Sequence, residues 1–261
     1  MKFSIIIPCY NTQEYIESCL NSVFNQTLSK QEYEVIVIDD GCTDNTIELA
    51  KKYPIKLLKT NRRKAGGARN KGIDNAQGEY LIFLDSDDEI YSPNCLEKLY
   101  NQIKGEDIIY LTLVTTNTKT GKKEIRKMEP NTTKEDMLAN TTLLGPAYRC
   151  IKRETLGDIH FSEEVYYEDV LYAMKIICKA EKIGYFSDDF YKYTKREDSM
   201  SHSKFSIEKQ LDFISEAVKI VTLATEYPNY SSYIMQRVDR INIKQRIEDV
   251  YNQINEENIG K

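Results

Sequence analysis

Four acidic residues follow an uncharged apolar run in the first half of the chain. The run is Tyr80–Leu84, and Asp85, Asp87, Asp88 and Glu89 come directly after it. Carboxylates this close repel each other and destabilise a fold when they are buried without partners. A divalent cation would relieve that repulsion, because Mg²⁺ and Mn²⁺ prefer hard oxygen ligands such as carboxylates. The Asp-Ser-Asp triplet is short, so a solvated loop whose carboxylates cap the next helix is the competing interpretation.

Two further polar clusters end apolar runs. Pro8–Asn11 closes the run that begins at Phe3, and Asp39–Gly41 closes the run that begins at Tyr33. A carboxylate such as Asp40 could accept hydrogen bonds from a nucleobase or a ribose. The competing interpretation is an ordinary strand-to-helix turn with capping aspartates.

A basic segment stands out in a chain that is acidic overall. Five cations lie within ten residues: Arg62, Arg63, Lys64, Arg69 and Lys71. Gly66–Gly67, at the start of a predicted helix, offers free backbone N–H groups to an anion. Arg69 in the first turn could donate two hydrogen bonds to a diphosphate. For Arg62–Lys64, a solvated basic face is the competing interpretation.

Glu168 and Asp169, in the second half of the chain, are the last candidate pair. They precede apolar residues that recur at helical spacing in EEVYYEDVLYAMKII. Carboxylates in a first helical turn are favourable on dipole grounds alone. The functional interpretation is a general base that a helix start presents to a substrate.

Alternating strands and helices must position these residues over the first hundred positions. The predicted strands are FSIIIPCY, YEVIVIDDG, IKLLKT and YLIFLD; the predicted helices are TQEYIESCLNSVFNQ capped by Thr12, TDNTIELAKKY, and GGARNKGIDNAQG ended by Gly78. This α/β alternation predicts a mostly parallel, Rossmann-like sheet with helices on both faces. Ligands bind beyond the carboxyl ends of such strands, so the three polar strand ends predict one shared site.

The pattern changes after Pro93. The sequence predicts a helix in SPNCLEKLYNQI, a hairpin from DIIYLTLVTT to KKEIRKM, and helices in TKEDMLA and EEVYYEDVLYAMKIICKA. A strand or two in KIGYFSDDFYKYTK precedes helices from Ile207 to Ile254, with a break near Pro228.

Composition narrows the partners and the compartment. The net charge of −5 over 261 residues leaves no basic excess for a nucleic-acid partner. The N-terminal apolar run breaks at Pro8 and no run approaches the roughly 20 residues that span a bilayer, so neither a signal peptide nor a membrane span is predicted. The six cysteines fit no zinc spacing and are expected to be reduced thiols. A cytoplasmic location is predicted, with peripheral contact at the inner face of the membrane left open.

Four segments together resemble glycosyltransferase family 2. They are FSIIIPCYNTQEYIESCLNSVFNQT, YEVIVIDDGCTDNT, NRRKAGGARNKGIDNAQGEYLIFLDSDD and YYEDVLYAMKI, in the family's order. The resemblance thins from about residue 100 and returns at Glu168–Asp169. It implies a GT-A fold and an inverting, Mn²⁺- or Mg²⁺-assisted transfer of a sugar from a nucleotide-sugar donor to a hydroxyl. Cys42 departs from the pattern, because serine is usual there.

The resemblance also implies residue roles. Donor binding is implied for Pro8, Tyr10, Asn11, Asp40, Arg69, Asp85, Ser86 and Asp87. Asp85 and Asp87 would hold the metal, and His202 could join them, although a polar surface loop around it is the competing interpretation. Asp169 would be the general base, with Glu168 beside it in the catalytic pair.

The same resemblance divides the chain by role. Residues 1–100 would bind the donor, 101–205 would carry the acceptor site and the base, and 206–261 would form a C-terminal helical extension. A UDP-linked donor is the first expectation, and the acceptor would be a glycan, a lipid-linked glycan or a glycoprotein. A homo-oligomer formed through the extension stays open.

Two rival functions also remain. One is a phosphatase of the haloacid dehalogenase type with Asp85 as nucleophile, although three strand-like segments precede the acidic motif here and it usually opens that fold. The other is a non-catalytic sugar-binding module.

Overall fold

A parallel sheet forms the first part of the fold. The computed structural model describes residues 1–116, 123–140, 145–194 and 206–259. Its first strands are β1 (Phe3–Cys9), β2 (Tyr33–Asp39), β3 (Lys56–Lys59) and β4 (Tyr80–Phe83). They lie in the order β3–β2–β1–β4 and all pair in parallel. The carboxyl ends of β1, β2 and β4 therefore share one edge of the sheet.

Helices cover both faces of this parallel part, as predicted. The helices are α1 (Ile16–Phe24), α2 (Thr46–Ala50), α3 (Lys64–Asn75) and α4 (Cys95–Gln102). Successive residues of β1 point to opposite faces, so Ile6 packs in a core with α3, while Ile5 and Ile7 pack in a core with α1 and α4. A strand that is buried on both faces must be apolar throughout, which explains the continuous apolar runs.

Several predicted helix boundaries are wrong, including the start of α3, which lies at Lys64 rather than at Gly66–Gly67. Helix α1 begins at Ile16 rather than beside Thr12, and the Thr12 hydroxyl donates to Ser86 Oγ at 3.0 Å instead of capping a helix. Helix α3 ends at Asn75, three residues before Gly78. A Cβ at Gly78 would lie 2.5 Å from the backbone of Phe3, so this glycine permits a close approach to β1.

The second part of the sheet is mixed. Its strands are β5 (Glu89–Ile90), β6 (Ile108–Thr116), β7 (Lys123–Arg126), β8 (Arg149–Lys152) and β9 (Ile183–Tyr193). From β4 the order continues β8–β6–β9–β5; the β6–β9 pair is parallel and the other pairs are antiparallel. Strand β7 pairs antiparallel with β6, which confirms the predicted hairpin, whose turn lies outside the described residues.

The remaining helices follow the sheet. They are α5 (Lys134–Asn140), α6 (Arg153–Leu156), α7 (Glu168–Lys179), α8 (Ile207–Glu226), α9 (Ser231–Ile241) and α10 (Ile243–Ile259). Helix α7 begins five residues after the predicted start at Glu163. The predicted break near Pro228 is a short 3₁₀ turn. Helix α8 packs on α7 and α9, and α9 packs on α5.

Two properties of the described residues bear on earlier expectations. None of their helices is both long and apolar enough to cross a bilayer. All six cysteines are free, and every one except Cys42 is buried.

Candidate active site

Three strand ends meet at one edge of the sheet. Cys9 at the end of β1 pairs with Asp39 at the end of β2, and the Asp40 N–H donates to the Cys9 carbonyl at 3.0 Å. On the other side of β1, the Leu84 N–H donates to the Ile6 carbonyl at 3.0 Å. The polar residues that follow the three strands are thus brought together, as the sequence predicts.

Asp39 shapes the turn that follows β2. Its Oδ1 accepts from the N–H groups of Gly41 at 3.0 Å and Cys42 at 2.8 Å. Gly41 has a φ of 86°, a left-handed conformation that glycine adopts without strain.

Asp40 fixes the loop between β3 and α3. It is only 5% exposed, and its Oδ1 accepts from the Thr60 hydroxyl at 2.7 Å and from the Arg63 N–H at 2.8 Å. Asp40 therefore holds the loop that leads into α3 against the end of β2.

The segment after β1 presents an aromatic ring. Tyr10 is 45% exposed, and the Arg62 guanidinium lies over it with Cζ 3.7 Å from the ring centroid. Asn11 has a φ of 50°, and its Oδ1 accepts from the Thr43 N–H at 2.8 Å. Pro8 is half-buried within β1. The ring and amide of Tyr10 and Asn11 thus stand beside Asp40 at the same edge.

Arg69 is the central cation of the site. Its side chain is 7% exposed, and it donates from Nη2 to Asp85 Oδ1 at 2.8 Å and from Nη1 to Glu168 Oε1 at 2.7 Å. Burial alone would lower the pKa of Arg69, but the carboxylates of Asp85 and Glu168 outweigh it and hold the pKa above its ordinary value. Arg69 therefore joins α3, the acidic loop after β4 and the start of α7.

Asp88 serves the shape of the acidic loop. It is 1% exposed; its Oδ2 accepts from the Tyr191 hydroxyl at 2.8 Å and its Oδ1 from the Thr194 N–H at 2.7 Å. The Tyr191 oxygen also accepts from the Asp85 N–H at 3.0 Å. Burial, and then the charges of Asp85 and Asp87, raise the pKa of Asp88 to about 8. Both oxygens of Asp88 thus accept hydrogen bonds from Tyr191 in β9 and from Thr194 directly after it, so Asp88 anchors the acidic loop to the end of that strand.

The other two residues of the loop differ in exposure. Ser86 is 4% exposed and its Oγ accepts from the Thr12 hydroxyl at 3.0 Å, so it braces the loop against the segment after β1. Asp87 is half-buried, one residue before the fully buried Asp88.

Glu168 and Asp169 are the first two residues of α7. Burial raises the pKa of Glu168, and the Arg69 guanidinium opposes that rise. Burial also raises the pKa of Asp169, and here Arg69 and then Arg149 oppose it. The preceding residue, Tyr167, has a left-handed φ of 66°, so the chain turns sharply to present both carboxylates.

Sequence reasoning missed Arg149. This side chain on β8 is 0% exposed, donates from Nη2 to the Gly145 carbonyl at 3.2 Å, and lowers the pKa of Asp169 through its charge. The available signal was a basic residue beside the apolar Cys150 and Ile151, because a cation that is buried there requires an anionic or carbonyl partner. Tyr191, which joins Asp85 to Asp88, carried no such signal.

The carboxylates of the site fit a divalent cation that is coordinated partly by the protein and partly by the phosphates of a ligand. Within the described stretches, no three His, Cys, Asp or Glu side chains are grouped closely enough to hold a metal. Two carboxylates are enough where water and ligand phosphates complete the shell, as is common for Mg²⁺. Asp85 gives Oδ1 to Arg69, and no described residue donates a hydrogen bond to its Oδ2. Asp85 and Asp87 are therefore a compatible pair, whereas His202 lies outside the described residues.

This fold and this set of residues define a class of protein, and sequence comparison agrees with them. The model of the family "Glycosyl transferase family 2" matches residues 4–160, more than half of the chain. The chain belongs to glycosyl transferase family 2. The predicted family and class of enzyme, a glycosyltransferase, are confirmed.

Individual relatives extend the match beyond the family model. Poly(ribitol-phosphate) beta-N-acetylglucosaminyltransferase TarS of Staphylococcus aureus (strain MW2) is 36% identical over 220 residues, which cover 78% of this chain and 38% of TarS. The chain thus spans well under half of that relative. The cholesterol galactosyltransferase of Borreliella burgdorferi is 29% identical, over 94% of this chain and 75% of its own length.

A solved structure supports the same fold. Residues 1–349 of S. aureus TarS, crystallised in complex with UDP-GlcNAc, match with a TM-score of 0.76 and 30% identity. The match covers 92% of this chain and 72% of that one. The predicted GT-A fold is confirmed.

Proposed function

We propose that this chain transfers a sugar from a UDP-linked donor to an acceptor hydroxyl, with inversion at the anomeric carbon. The observation that carries the proposal is the double ion pair of Arg69, which joins Asp85 of the donor half to Glu168 beside the base. The TarS structure contains UDP-GlcNAc, which favours a UDP-linked donor here. Inversion follows from a single displacement by the acceptor oxygen.

The nucleoside would bind beside Asp40 and Tyr10. Tyr10 is 45% exposed and would stack on the nucleobase, with the Arg62 guanidinium over one face of its ring. Asp40 is held in place by Thr60 and Arg63 and can accept a hydrogen bond from a base N–H. Pro8 and Asn11 would complete the walls of this pocket.

The diphosphate would lie over the acidic loop and Arg69. Asp85 and Asp87 would hold Mn²⁺ or Mg²⁺, which supplies charge neutralisation for the departing diphosphate when it is bound. Arg69 orients Asp85 through its hydrogen bond to Oδ1, and the hydrogen bond from the Thr12 hydroxyl to Ser86 fixes the acidic loop. The two carboxylates are thereby fixed before a ligand arrives, which lowers the cost of binding.

Asp169 would remove the proton from the acceptor hydroxyl. Glu168 is less suited, because Arg69 occupies its Oε1 at 2.7 Å. Burial raises the pKa of Asp169 and makes it a stronger proton acceptor, while the charges of Arg69 and Arg149 oppose that rise. Transfer should therefore weaken as the pH falls through the pKa of Asp169. Glu168 would hold the Arg69 guanidinium in position, where its positive charge also acts on Asp169.

The acceptor half and the extension would supply the second substrate. We assign residues 1–100 to the donor, 101–205 to the acceptor and base, and 206–261 to a helical extension. The relatives act, by their names, on poly(ribitol-phosphate) and on cholesterol, so acceptors vary within the family. A glycan, a lipid-linked glycan or a glycoprotein remains the predicted acceptor. Membrane contact and self-association through the extension stay predictions.

The rival functions find less support. The acidic motif of a phosphatase of the haloacid dehalogenase type usually follows the first strand of that fold, whereas Asp85 follows β4. A non-catalytic module would not need the half-buried Glu168–Asp169 pair next to Arg69. Membership of the glycosyl transferase family 2 argues against both.

A thermal-shift screen of nucleotide sugars with Mn²⁺ tests the donor proposal. UDP-GlcNAc with Mn²⁺ should raise the melting temperature, because a ligand at about 100 times its Kd stabilises by about 2.7 kcal/mol. Asp87→Asn should remove most of the Mn²⁺-dependent part of the shift. No shift with any UDP-, GDP- or dTDP-sugar would contradict the proposal.

A further inference from the structure

Helix α8 carries three acidic residues on successive turns, and two of them contact the segment that leads to the candidate active site. The three are Glu208, Asp212 and Glu216, spaced four residues apart so that they share one face of the helix. Asp212 and Glu216 contact segment 162–167, which ends directly before Glu168 and Asp169, whereas Glu208 contacts Lys64. None of the site residues discussed above lies on α8.

Asp212 makes the contact closest to the catalytic pair. Its Oδ2 accepts from the Tyr166 N–H at 2.9 Å, two residues before Glu168. The same oxygen lies 3.4 Å from Lys64 Nζ at the start of α3, the helix that carries Arg69. The Asp212 side chain is 20% exposed, so water screens these contacts only in part.

Neighbouring residues of α8 also contact segment 162–167. One turn later on α8, Glu216 accepts from the Ser162 hydroxyl at 2.9 Å, and Glu216 is 3% exposed. The Tyr167 ring packs edge-on against Phe213 with centroids 5.2 Å apart. Lys64 also lies 3.9 Å from the centroid of the Tyr166 ring.

Segment 162–167 holds a backbone conformation that needs support. Glu164 has a φ of 61° and Tyr167 a φ of 66°, and residues other than glycine adopt such values at a cost. Such a conformation persists only when surrounding contacts fix it. The turn at Tyr167 decides where α7 begins, and therefore where the carboxylates of Glu168 and Asp169 point.

We propose that Asp212 is a positioning residue for sugar transfer, which fixes the turn at Tyr166–Tyr167 and so places Glu168 and Asp169 against Arg69. This rests on the proposed function, in which Asp169 is the general base. It makes α8 part of the catalytic unit. Through Lys64, one carboxylate links the start of α3 to the start of α7.

Paired substitutions at Asp212 test the hydrogen bond apart from the charge. Asp212→Ala removes both, whereas Asp212→Asn keeps an oxygen that can accept from Tyr166. Asp212→Ala should lower kcat by about 10- to 100-fold, because small misplacements of catalytic groups cost that much. The donor KM should stay within about threefold, because Asp40 and Tyr10 are untouched, and Asp212→Asn should keep kcat within about threefold.

Glu208→Ala is the matched control. Glu208 lies on the same helix and pairs with Lys64 at 3.0 Å, but it is 65% exposed and has no bond to the 162–167 segment. Its kcat should stay within about twofold of the wild type. If Asp212→Ala does not fold, Asp212→Leu fills the volume, favours the helix and still lacks an acceptor.

Hydrogen–deuterium exchange gives a readout that does not depend on activity. A peptide that covers Tyr166–Asp169 should exchange faster in Asp212→Ala than in the wild type or in Glu208→Ala. Normal kcat in Asp212→Ala or Asp212→Leu, or a loss of kcat with unchanged exchange, overturns the proposal. An equal loss in Glu208→Ala also overturns it. If Asp169→Asn retains transfer, the proposed function fails instead, while the exchange result still stands on its own.

Discussion

Replacement of Arg69 by methionine tests whether this buried cation holds the site together. The change removes the charge and both hydrogen bonds but keeps an unbranched apolar stem near Phe161, whose ring centroid lies 5.5 Å from Arg69 Cζ. Asp85 and Glu168 then lose their shared partner.

The expected loss of stability comes mainly from Glu168. Its side chain is 13% exposed, and removal of one partner from a buried ion pair costs about 3–5 kcal/mol. Asp85 is 36% exposed, so solvent screens its pair and its contribution is about 0–1 kcal/mol. Protonation of Glu168 limits the total, so we expect about 3–4 kcal/mol at pH 8. For a chain of this size that lowers the Tm by about 6–12 °C.

The deficit should depend on pH with a definite sign. Burial already raises the pKa of Glu168, and loss of the Arg69 cation raises it further. An acid with a raised folded-state pKa stabilises the fold below its unfolded pKa, and this stability is lost as the pH rises through the folded pKa. The deficit should therefore be smaller at pH 5.5 than at pH 8, by about 1 kcal/mol or more.

Urea unfolding followed by circular dichroism at the two pH values measures this difference. Arg63→Met is the control, because Arg63 pairs with Glu163 at 2.7 Å but is 51% exposed, and it should cost at most about 0.5 kcal/mol. Arg69→Lys should fall between Arg69→Met and the wild type, since one ammonium reaches only one carboxylate well. A deficit below about 1 kcal/mol at pH 8, or one that does not change with pH, would refute the reasoning.

Two further predictions concern the supports of the site. Tyr191→Phe removes the hydroxyl that donates to Asp88 and accepts from the Asp85 N–H, so it should cost about 1–3 kcal/mol in urea unfolding; a cost near zero would show that the hydroxyl does not hold the acidic loop. Burial alone would lower the pKa of His160, but Asp74, whose Oδ1 lies 2.8 Å from Nε2, raises it. The raised pKa means that this pair stabilises the fold at low pH and that the gain is lost as the pH rises, so Asp74→Asn should lower the Tm more at pH 5.5 than at pH 8.5. Because His160 is 38% exposed the effect should stay below about 1 kcal/mol, and an equal loss at both pH values would exclude the charged pair as its cause.

The strand ends could be predicted from the sequence because each is a local pattern. An apolar run that stops at Asp40 or Asp85 marks the carboxyl end of a buried strand, and strand–helix alternation places those ends at one edge. The pairing of Arg69 with Asp85 was within reach for the same reason, since both lie in the parallel half.

The separate roles of the carboxylates that follow β4 could not be predicted, because they depend on contacts with distant parts of the chain. Nothing in the sequence separates Asp88 from its acidic neighbours, whereas in the fold Tyr191 and Thr194, more than a hundred residues later, donate hydrogen bonds to its two oxygens. Threonine is a common N-cap residue, but the hydroxyl of Thr12 donates a hydrogen bond to Ser86, 74 residues later in the chain, instead of capping a helix. The bond of Asp212 to Tyr166 likewise joins segments whose periodicity carries no sign of the contact.

The role of Asp169 is tested most directly by hydrolysis of UDP-GlcNAc with Mn²⁺, in which water takes the place of the acceptor hydroxyl and UDP is released, compared between the wild type and Asp169→Asn. Donor affinity is measured in parallel by calorimetry. We expect slow Mn²⁺-dependent UDP release by the wild type, release at least about 100-fold slower in Asp169→Asn, and donor affinities within about threefold of each other. Near-normal release by Asp169→Asn, with the donor bound as in the wild type, would contradict the assignment of the base and with it the proposed mechanism.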